Sequence, residues 1–470
     1  MNQCFCNIIV PNENMVRVIK STLQLANKEQ LTGKLNLGKI NDQIREVIKA
    51  PANLKGEQIT KVGEALFEAL FDDQLREYFL SYYQEIVKQQ DANLGVILEI
   101  NEEAMPEVVA YPWELMCLPE KYNQGQIYFA TNRKLSFYRR RYQLEESKKL
   151  SIKINQDEQL KIALVVSKPT ANSGLSNVEY YELQQYLKSV DTKQEQVKFL
   201  SVMDSLNFYS IVERLETEKP DIFHFIGHGQ LVEKNGEDVG QVAFVNEFGE
   251  ANWKDAKMFG QLFTGHQPKV LILQACETGK QSETNAFSSL ASRLMLEGIP
   301  VVIAMQYKVS NQTGISFVKE FYSKIIEGNS VEMAVQKARS KLGIENGYEA
   351  RDFAIPVVFM NALDGYLFAQ ESMDITQKKN GFLNLTGEQR RKLREEIERV
   401  LSEDKLKNIF LEYPEKFEAN FYNQIAGGDY RTRLVNLIRE LNNRELNNKK
   451  LIVDFIEIVR YEYYNFAQDL

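Results

Sequence analysis

Two apolar runs, DIFHFIGHGQ at 221–230 and KVLILQACETG at 269–279, constrain this chain more than any other feature. Each is rich in β-branched or aromatic residues, breaks at a small residue, and leaves one reactive side chain at its end, His228 in the first and Cys276 in the second. Near-continuous apolar strands belong to a sheet buried on both faces, which means a parallel sheet covered by helices. Such sheets carry their chemistry just outside the carboxyl ends of the strands, where a His and a Cys distant in sequence meet. The reading is a cysteine nucleophile with a histidine base.

A thiol of ordinary pKa, about 8.5, is only slightly ionised at neutral pH. An imidazole that takes its proton raises the thiolate fraction and later protonates a leaving amine. Gly229 follows His228 and lets backbone approach closely, so the N–H groups of Gly229 and Cys276 are the expected oxyanion donors. A buried core cysteine is the plain alternative for Cys276, since free cysteines are among the most buried residues. Its place at a strand exit, just before Glu277-Thr278-Gly279, favours the nucleophile.

His228-Gly229 at one strand end and Gln274-Ala275-Cys276 at another, with the His upstream, is similar to the caspase arrangement. The chain more closely resembles the bacterial CHAT peptidases, relatives of caspases that also resemble separase. That likeness rests on YPWELM at 111–116, HFIGHG at 224–229, LQACETG at 273–279, LASRLMLEGIPVVIAMQYKVS at 290–310, FVKEFYSKIIEGNSVEMAVQKARSKL at 317–342 and IPVVFM at 355–360. The resemblance implies a caspase-like, doubly wound α/β fold and an endopeptidase that cuts a protein substrate with His228 and Cys276. Gln274, Glu277 and Asn311 become candidates for the substrate cleft. Two departures bear on preference: Asn311 stands where the family commonly has an acidic residue, and Glu277 where caspases have Arg. A strict preference for Asp at P1 is therefore not expected, and Glu277 is either an acidic specificity residue or a solvated loop carboxylate.

At 470 residues the chain predicts two or three domains. A net charge of −8 argues against nucleic acid as a partner, because phosphate recognition needs a concentrated basic surface. The one basic cluster, Arg139-Arg140-Arg141 with Arg133 and Lys134 before it, reads as a strand edge with solvated charges. Four scattered cysteines make no disulfide scaffold, and no signal peptide or membrane-spanning run is visible, which places the protein in the cytoplasm. Cys4 and Cys6 form a C-x-C, yet with three histidines in all and no second Cys pair no metal site is expected. No phosphate-binding GxxxxGK[ST] loop and no G-x-S-x-G elbow occur, so neither a cofactor nor a serine nucleophile is called for. His224 reads as a structural histidine beneath the site or as catalytic support, with Gly227 turning the chain between it and His228. His266, in the loop TGHQP, reads as solvated, and Trp113, beside Pro112 and Glu114, as packing.

The organisation follows from these runs. Residues 1–155 mix helix and strand signals, with a helix at 57–71 and a buried strand at 94–100, and in the resemblance form the N-terminal accessory region of the peptidase. Residues 156–370 alternate strands (160–168, 221–226, 241–246, 269–274, 300–305, 355–360) with helices, as a mostly parallel sheet with helices on both faces requires. A polar linker at 371–384 leads to 385–470, where helical periodicity prevails and no strand signal occurs. Thr386 with Gln389 makes a capping box, and Gly427-Gly428-Asp429 stops one helix and caps the next. This all-α bundle is similar to death-like, effector-associated adaptors, which implies a sensor or effector partner bearing a like domain and a role in bacterial antiphage defence or cell death. The competing reading is a scaffold whose dyad is vestigial.

Overall fold

The computed structural model of the chain describes residues 4–459 except 23–28, 50–53, 89–91, 123–124, 144–149, 156–157, 170–179, 194–195, 235–236, 276–285, 308–309, 363, 369–386, 414–416, 418–420, 447–448, 453–454 and 456–457. It divides into two compact units, Met1–Ala369 and Gln370–Leu470.

The first unit opens with strands β1 (Cys4–Asn12), β2 (Met15–Thr22) and β3 (Glu29–Gly33). Helices α1 (Asp42–Lys49), α2 (Glu57–Leu70) and α3 (Asp73–Lys88) lead to β4 (Leu94–Ile100). A short α4 (Pro106–Val109) and the small pair β5 (Cys117–Leu118) and β6 (Ile127–Tyr128) precede β7 (Leu135–Arg141). Next come β8 (Leu160–Val166), α5 (Tyr181–Lys193), β9 (Val197–Phe199), β10 (Met203–Asp204), α6 (Phe208–Glu218) and β11 (Ile222–Gly227). Three further strands, β12 (Gly229–Lys234), β13 (Glu237–Val245) and β14 (Ala251–Asp255), are followed by α7 (Ala256–Gly260) and β15 (Val270–Ala275). The unit closes with α8 (Ala286–Leu294), β16 (Val301–Met305), α9 (Asn311–Ile326), α10 (Val331–Asn346) and β17 (Pro356–Met360).

Twelve of these strands make one sheet in the order β10-β8-β11-β15-β16-β17-β7-β4-β1-β2-β3, with β9 beside β8. Pairing is parallel from β10 to β16 and from β17 to β1, and antiparallel where β16 meets β17 and at the β1-β2-β3 edge. The sheet is thus two parallel halves running in opposite directions. The boundary at 155 falls inside it, because β1, β4 and β7 extend the same sheet that β8 to β17 build.

Strand alternation explains the layers. Ile222, Ile226, Val270 and Ile272 face one side and pack with Leu183, Leu187, Phe321 and Tyr322 of α5 and α9. Phe223, Phe225, Leu271 and Leu273 face the other and pack with Ile211, Leu215, Phe259 and Leu290 of α6, α7 and α8. Helices therefore cover both faces of a mostly parallel sheet, as expected. One strand expected in it, 241–246, is elsewhere: through Val245 it lies in β13, at the centre of a separate antiparallel sheet ordered β12-β13-β14.

The arginine cluster is the larger correction. Arg139 is 4% exposed, inside a central strand between β17 and β4, not on a solvated edge. Its Nε donates to Glu114 Oε1 at 2.9 Å, its Nη2 to Glu114 Oε2, and its Nη1 to the Val109 carbonyl at 3.0 Å. Gln306 Nε2 donates to the same carboxylate at 3.0 Å, and Arg339, fully buried, stands 3.9 Å from it. Arg140 and Arg141 pair with Glu99 and Glu102 on or just after the neighbouring strand. Burial lowers the Arg339 pKa to about 10, with Glu114 opposing the shift.

The second unit has its own core. Helices α11 (Gly387–Val400), α12 (Glu403–Glu412) and α13 (Tyr430–Asn443) bury Leu393, Ile397, Leu406, Phe410, Leu434, Leu437 and Leu441 together with Phe455 and Val459. Asp429 caps α13, its Oδ1 accepting from Thr432 N–H at 2.9 Å, as the sequence predicts. Thr386 of the expected capping box and the linker 371–384 lie outside the described residues. A two-residue hairpin, β18 (Glu445–Leu446) with β19 (Lys449–Lys450), interrupts the all-helical expectation.

Breaking the buried cluster from one side leaves an uncompensated charge. Arg139→Met should cost about 3–5 kcal/mol, read as a fall in the urea midpoint, and Glu114→Gln combined with Arg139→Met should cost less than the two single changes added.

Candidate active site

The fold brings the two reactive runs side by side. β11 and β15 are parallel neighbours whose register runs from Ile222 opposite Val270 to Gly227 opposite Ala275. His228 is the residue after Gly227. Cys276 is bonded to Ala275 in the chain, and it and Glu277 lie outside the described residues.

Gly227 does not turn the chain. It remains paired in the strand, and what demands glycine there is space: a Cβ would stand 2.7 Å from the Phe225 ring and 3.4 Å from Ser167 Cβ. The change of direction comes one residue later. His228 is 1% exposed, its carbonyl accepts from Ala243 N–H at 2.9 Å, and Gly229 opens β12. Ser167, the residue after β8, ties the same place from the other side. Its N–H donates to the Ile226 carbonyl at 2.9 Å and its Oγ to the Ala243 carbonyl at 2.7 Å. The backbone on either side of His228 is therefore fixed by the main sheet and by the antiparallel sheet at once.

Gln274 is placed differently from its expected role in a cleft. Its side chain is buried, 5% exposed, and its Oε1 lies 3.2 Å from His224 Nε2. An amide oxygen only accepts, so Nε2 carries the proton, and the Nδ1 of His224 accepts from the Tyr322 hydroxyl at 3.2 Å. Burial lowers the His224 pKa to about 4. A neutral ring with both nitrogens engaged is a structural part of the face under α9. Asn311 is the first residue of α9, whose cap is Ser310, accepting from Thr313 N–H at 3.1 Å. His266 is not simply solvated, since its Nε2 donates to the Pro220 carbonyl at 2.8 Å. Trp113 is packing, as expected, fully buried with its Nε1 donating to the Val108 carbonyl at 2.8 Å.

Sequence reasoning missed the carboxylate of Glu114 and its two arginines, and the role of Ser167. The signal for Glu114 was present in its setting between Trp113 and Leu115, an acid inside an apolar motif. Among the described residues no group of three or more His, Cys, Asp or Glu is placed to hold a metal ion, and no helix is long and apolar enough to cross a membrane.

The CHAT domain matches residues 60–354, more than half of the chain, and this span contains the His228 strand end, the Gln274 strand and the Glu114 cluster. The chain belongs to the CHAT-domain family. Among solved structures, the Arg specific cysteine proteinase gingipain R aligns over 63% of this chain and 68% of its own, at 11% identity and a TM-score of 0.38. The separase–securin complex of Saccharomyces cerevisiae aligns over 76% of this chain and 30% of the solved one, at 12% identity and a TM-score of 0.41. The complex of Porphyromonas gingivalis RgpB pro- and mature domains aligns over 70% and 78%, at 12% identity and a TM-score of 0.38. No curated protein sequence matches the chain.

Within this CHAT domain the assignment of His224 has a measurable consequence. Its folded pKa, about 4, lies below its ordinary value of 6.5, so between these values the unfolded chain binds the extra proton. Its contribution to stability is whole above pH 6.5 and is lost as pH falls towards 4. Replacing His224→Gln should remove an acid-side loss of about 3 kcal/mol between pH 7 and pH 4. The measurement is the unfolding free energy of parent and variant across that range, and parallel curves would show the ring to be solvated.

Proposed function

We propose that the chain is a cysteine endopeptidase in which His228 is the base and Cys276 the nucleophile. The observation that carries this reading is the register of β11 and β15, which sets Gly227 opposite Ala275 immediately before the two reactive residues. The imidazole takes the thiol proton and the thiolate adds to a peptide carbonyl carbon. The oxyanion accepts from the N–H groups of Gly229 and Cys276. The C–N bond then breaks as the imidazolium protonates the leaving amine. Water, deprotonated by the imidazole, attacks the thioester, releasing the acid and the thiol.

The second unit is the recruiting part in this proposal. It carries no His and no Cys, and its core is built from its own residues, so it brings no visible chemistry and stands as a separate folding unit. Docking to a sensor or effector with a like domain concentrates the peptidase around its protein substrate. The likeness of 385–397 and 427–442 to death-like adaptors supports a role in bacterial antiphage defence or regulated cell death.

Because base and nucleophile act as one unit, Cys276→Ala and His228→Ala should each remove nearly all cleavage of a peptide library and should not add when combined. Substantial cleavage by the Cys276→Ala protein rules the mechanism out, and a parent protein that cleaves no peptide leaves the scaffold reading. A chain ending near residue 372 should keep its intrinsic cleavage of small peptides and lose partner-dependent cleavage, with residues 380–470 alone binding the partner in a pull-down.

A further inference from the structure

β12 begins at the residue after His228 and, among the described strands, pairs on one side only, with β13. Its register sets Gly229 opposite Val242, Gln230 opposite Gln241, Leu231 opposite Gly240 and Val232 opposite Val239. One bond fixes the phase of this ladder: the His228 carbonyl accepts from Ala243 N–H at 2.9 Å. In an antiparallel pair, opposed residues alternate between exchanging both backbone bonds and exchanging none. With 228 and 243 a bonded pair, 230 with 241 and 232 with 239 are bonded in turn. The backbone groups of Gly229, Leu231 and Glu233 are then directed away from β13, along the edge that no other described strand pairs.

That edge has the form of a template. The Gly229 N–H, the oxyanion donor of the proposed mechanism, is the first group in the row, and the Leu231 groups follow two residues on, about 6.6 Å along the strand. A peptide in extended conformation repeats its own groups at the same spacing. Glu233 and Lys234 at the far end are exposed charges, of the kind that close an edge to further pairing, whereas Gly229 is buried and Leu231 half-buried beside the site. We propose that the substrate polypeptide docks as an added fourth strand on β12, its scissile carbonyl at the Gly229 N–H and its next outward backbone group paired with Leu231. This rests on the peptidase reading and gives it a substrate class, extended polypeptide recognised through its main chain.

The ladder phase supplies the test. Leu231→Pro removes an N–H that faces away from β13, and an edge strand tolerates proline at such a position. In the full chain, Leu231→Pro should lower kcat/KM on library-derived peptides roughly tenfold, the loss of one main-chain bond, while the melting temperature and the rate of Cys276 alkylation stay unchanged. Leu231→Ala, which keeps the N–H, should stay within about twofold. An unaltered kcat/KM in Leu231→Pro, or an equal fall in Leu231→Ala, overturns strand docking. Should Leu231→Pro not fold, single N-methylation of the peptide amides against the parent protein decides instead. Losses recurring at every second position support the added strand, and losses without that period refute it. If the parent cleaves nothing, the peptidase reading fails by itself, and polarisation binding of a labelled extended peptide to parent and Leu231→Pro still separates an edge that binds from one that does not.

Discussion

The ladder between β7 and β17 contains one register pair, Phe359 with Arg139, and this seam joins the strands contributed by residues 4–141 to those contributed by residues 160–360. Proline at 356 has no N–H to offer, so the seam is closed by side chains from α10. Arg339 donates through Nε and Nη2 to the Pro356 carbonyl at 2.9 and 2.7 Å, and through Nη1 to the Phe137 carbonyl at 2.8 Å. Gln336 accepts the Phe137 N–H at 3.2 Å and donates to the Phe129 and Asn132 carbonyls at 2.7 and 3.0 Å. A guanidinium and an amide thus take the place of ladder bonds, satisfying backbone groups that would otherwise be buried without partners.

A charge so buried is tolerable only with a counter-charge, and Glu114 provides one for Arg339 and Arg139 together. Because Gln306 follows β16 and donates to the same carboxylate, the cluster also reaches the edge of the sheet where β11 and β15 end. Tyr307, next in the chain, is buried against Arg351, whose guanidinium lies 4.7 Å from the ring centre. The half of the sheet that carries no proposed catalytic residue is in this way tied to the edge that does. That arrangement explains why an acid stands inside the apolar motif YPWELM.

Period and composition made much of this legible. Strands such as KVLILQ and PVVIAM are apolar throughout because helices cover both their faces, and such runs announce themselves. β12 and β14 do not, since GQLVEK and ANWKD are half-exposed and mix charge with apolar residues, so by sequence 241–246 reads as one more strand of the main sheet. The arginines misled for a related reason. Charge in sequence suggests solvent, and only the fold shows that Glu114, Glu99 and Glu102 come round to meet Arg139, Arg140 and Arg141. In the same way the sequence suggests a turn at Gly227, when its position asks only for the absence of a Cβ against Phe225.

The chain holds three histidines, and their surroundings divide the work among them. His266 precedes β15 and donates to Pro220, which precedes β11, so it sits at the strand starts, about 20 Å from the strand ends for strands of six residues. His224 lies within β11 under α9, neutral, donating to Gln274 and accepting from Tyr322. An imidazole in that state exchanges no proton with a substrate, but it holds the side chain two residues before Cys276 against the neighbouring strand. His228 is the remaining imidazole, and the only one at the carboxyl ends of β11 and β15. Two histidines four residues apart on one run are thus equally buried yet differently placed, one held at both nitrogens within the sheet and the other at the strand exit, where the proposed mechanism asks it to move a proton, and the difference lies in position rather than in residue type.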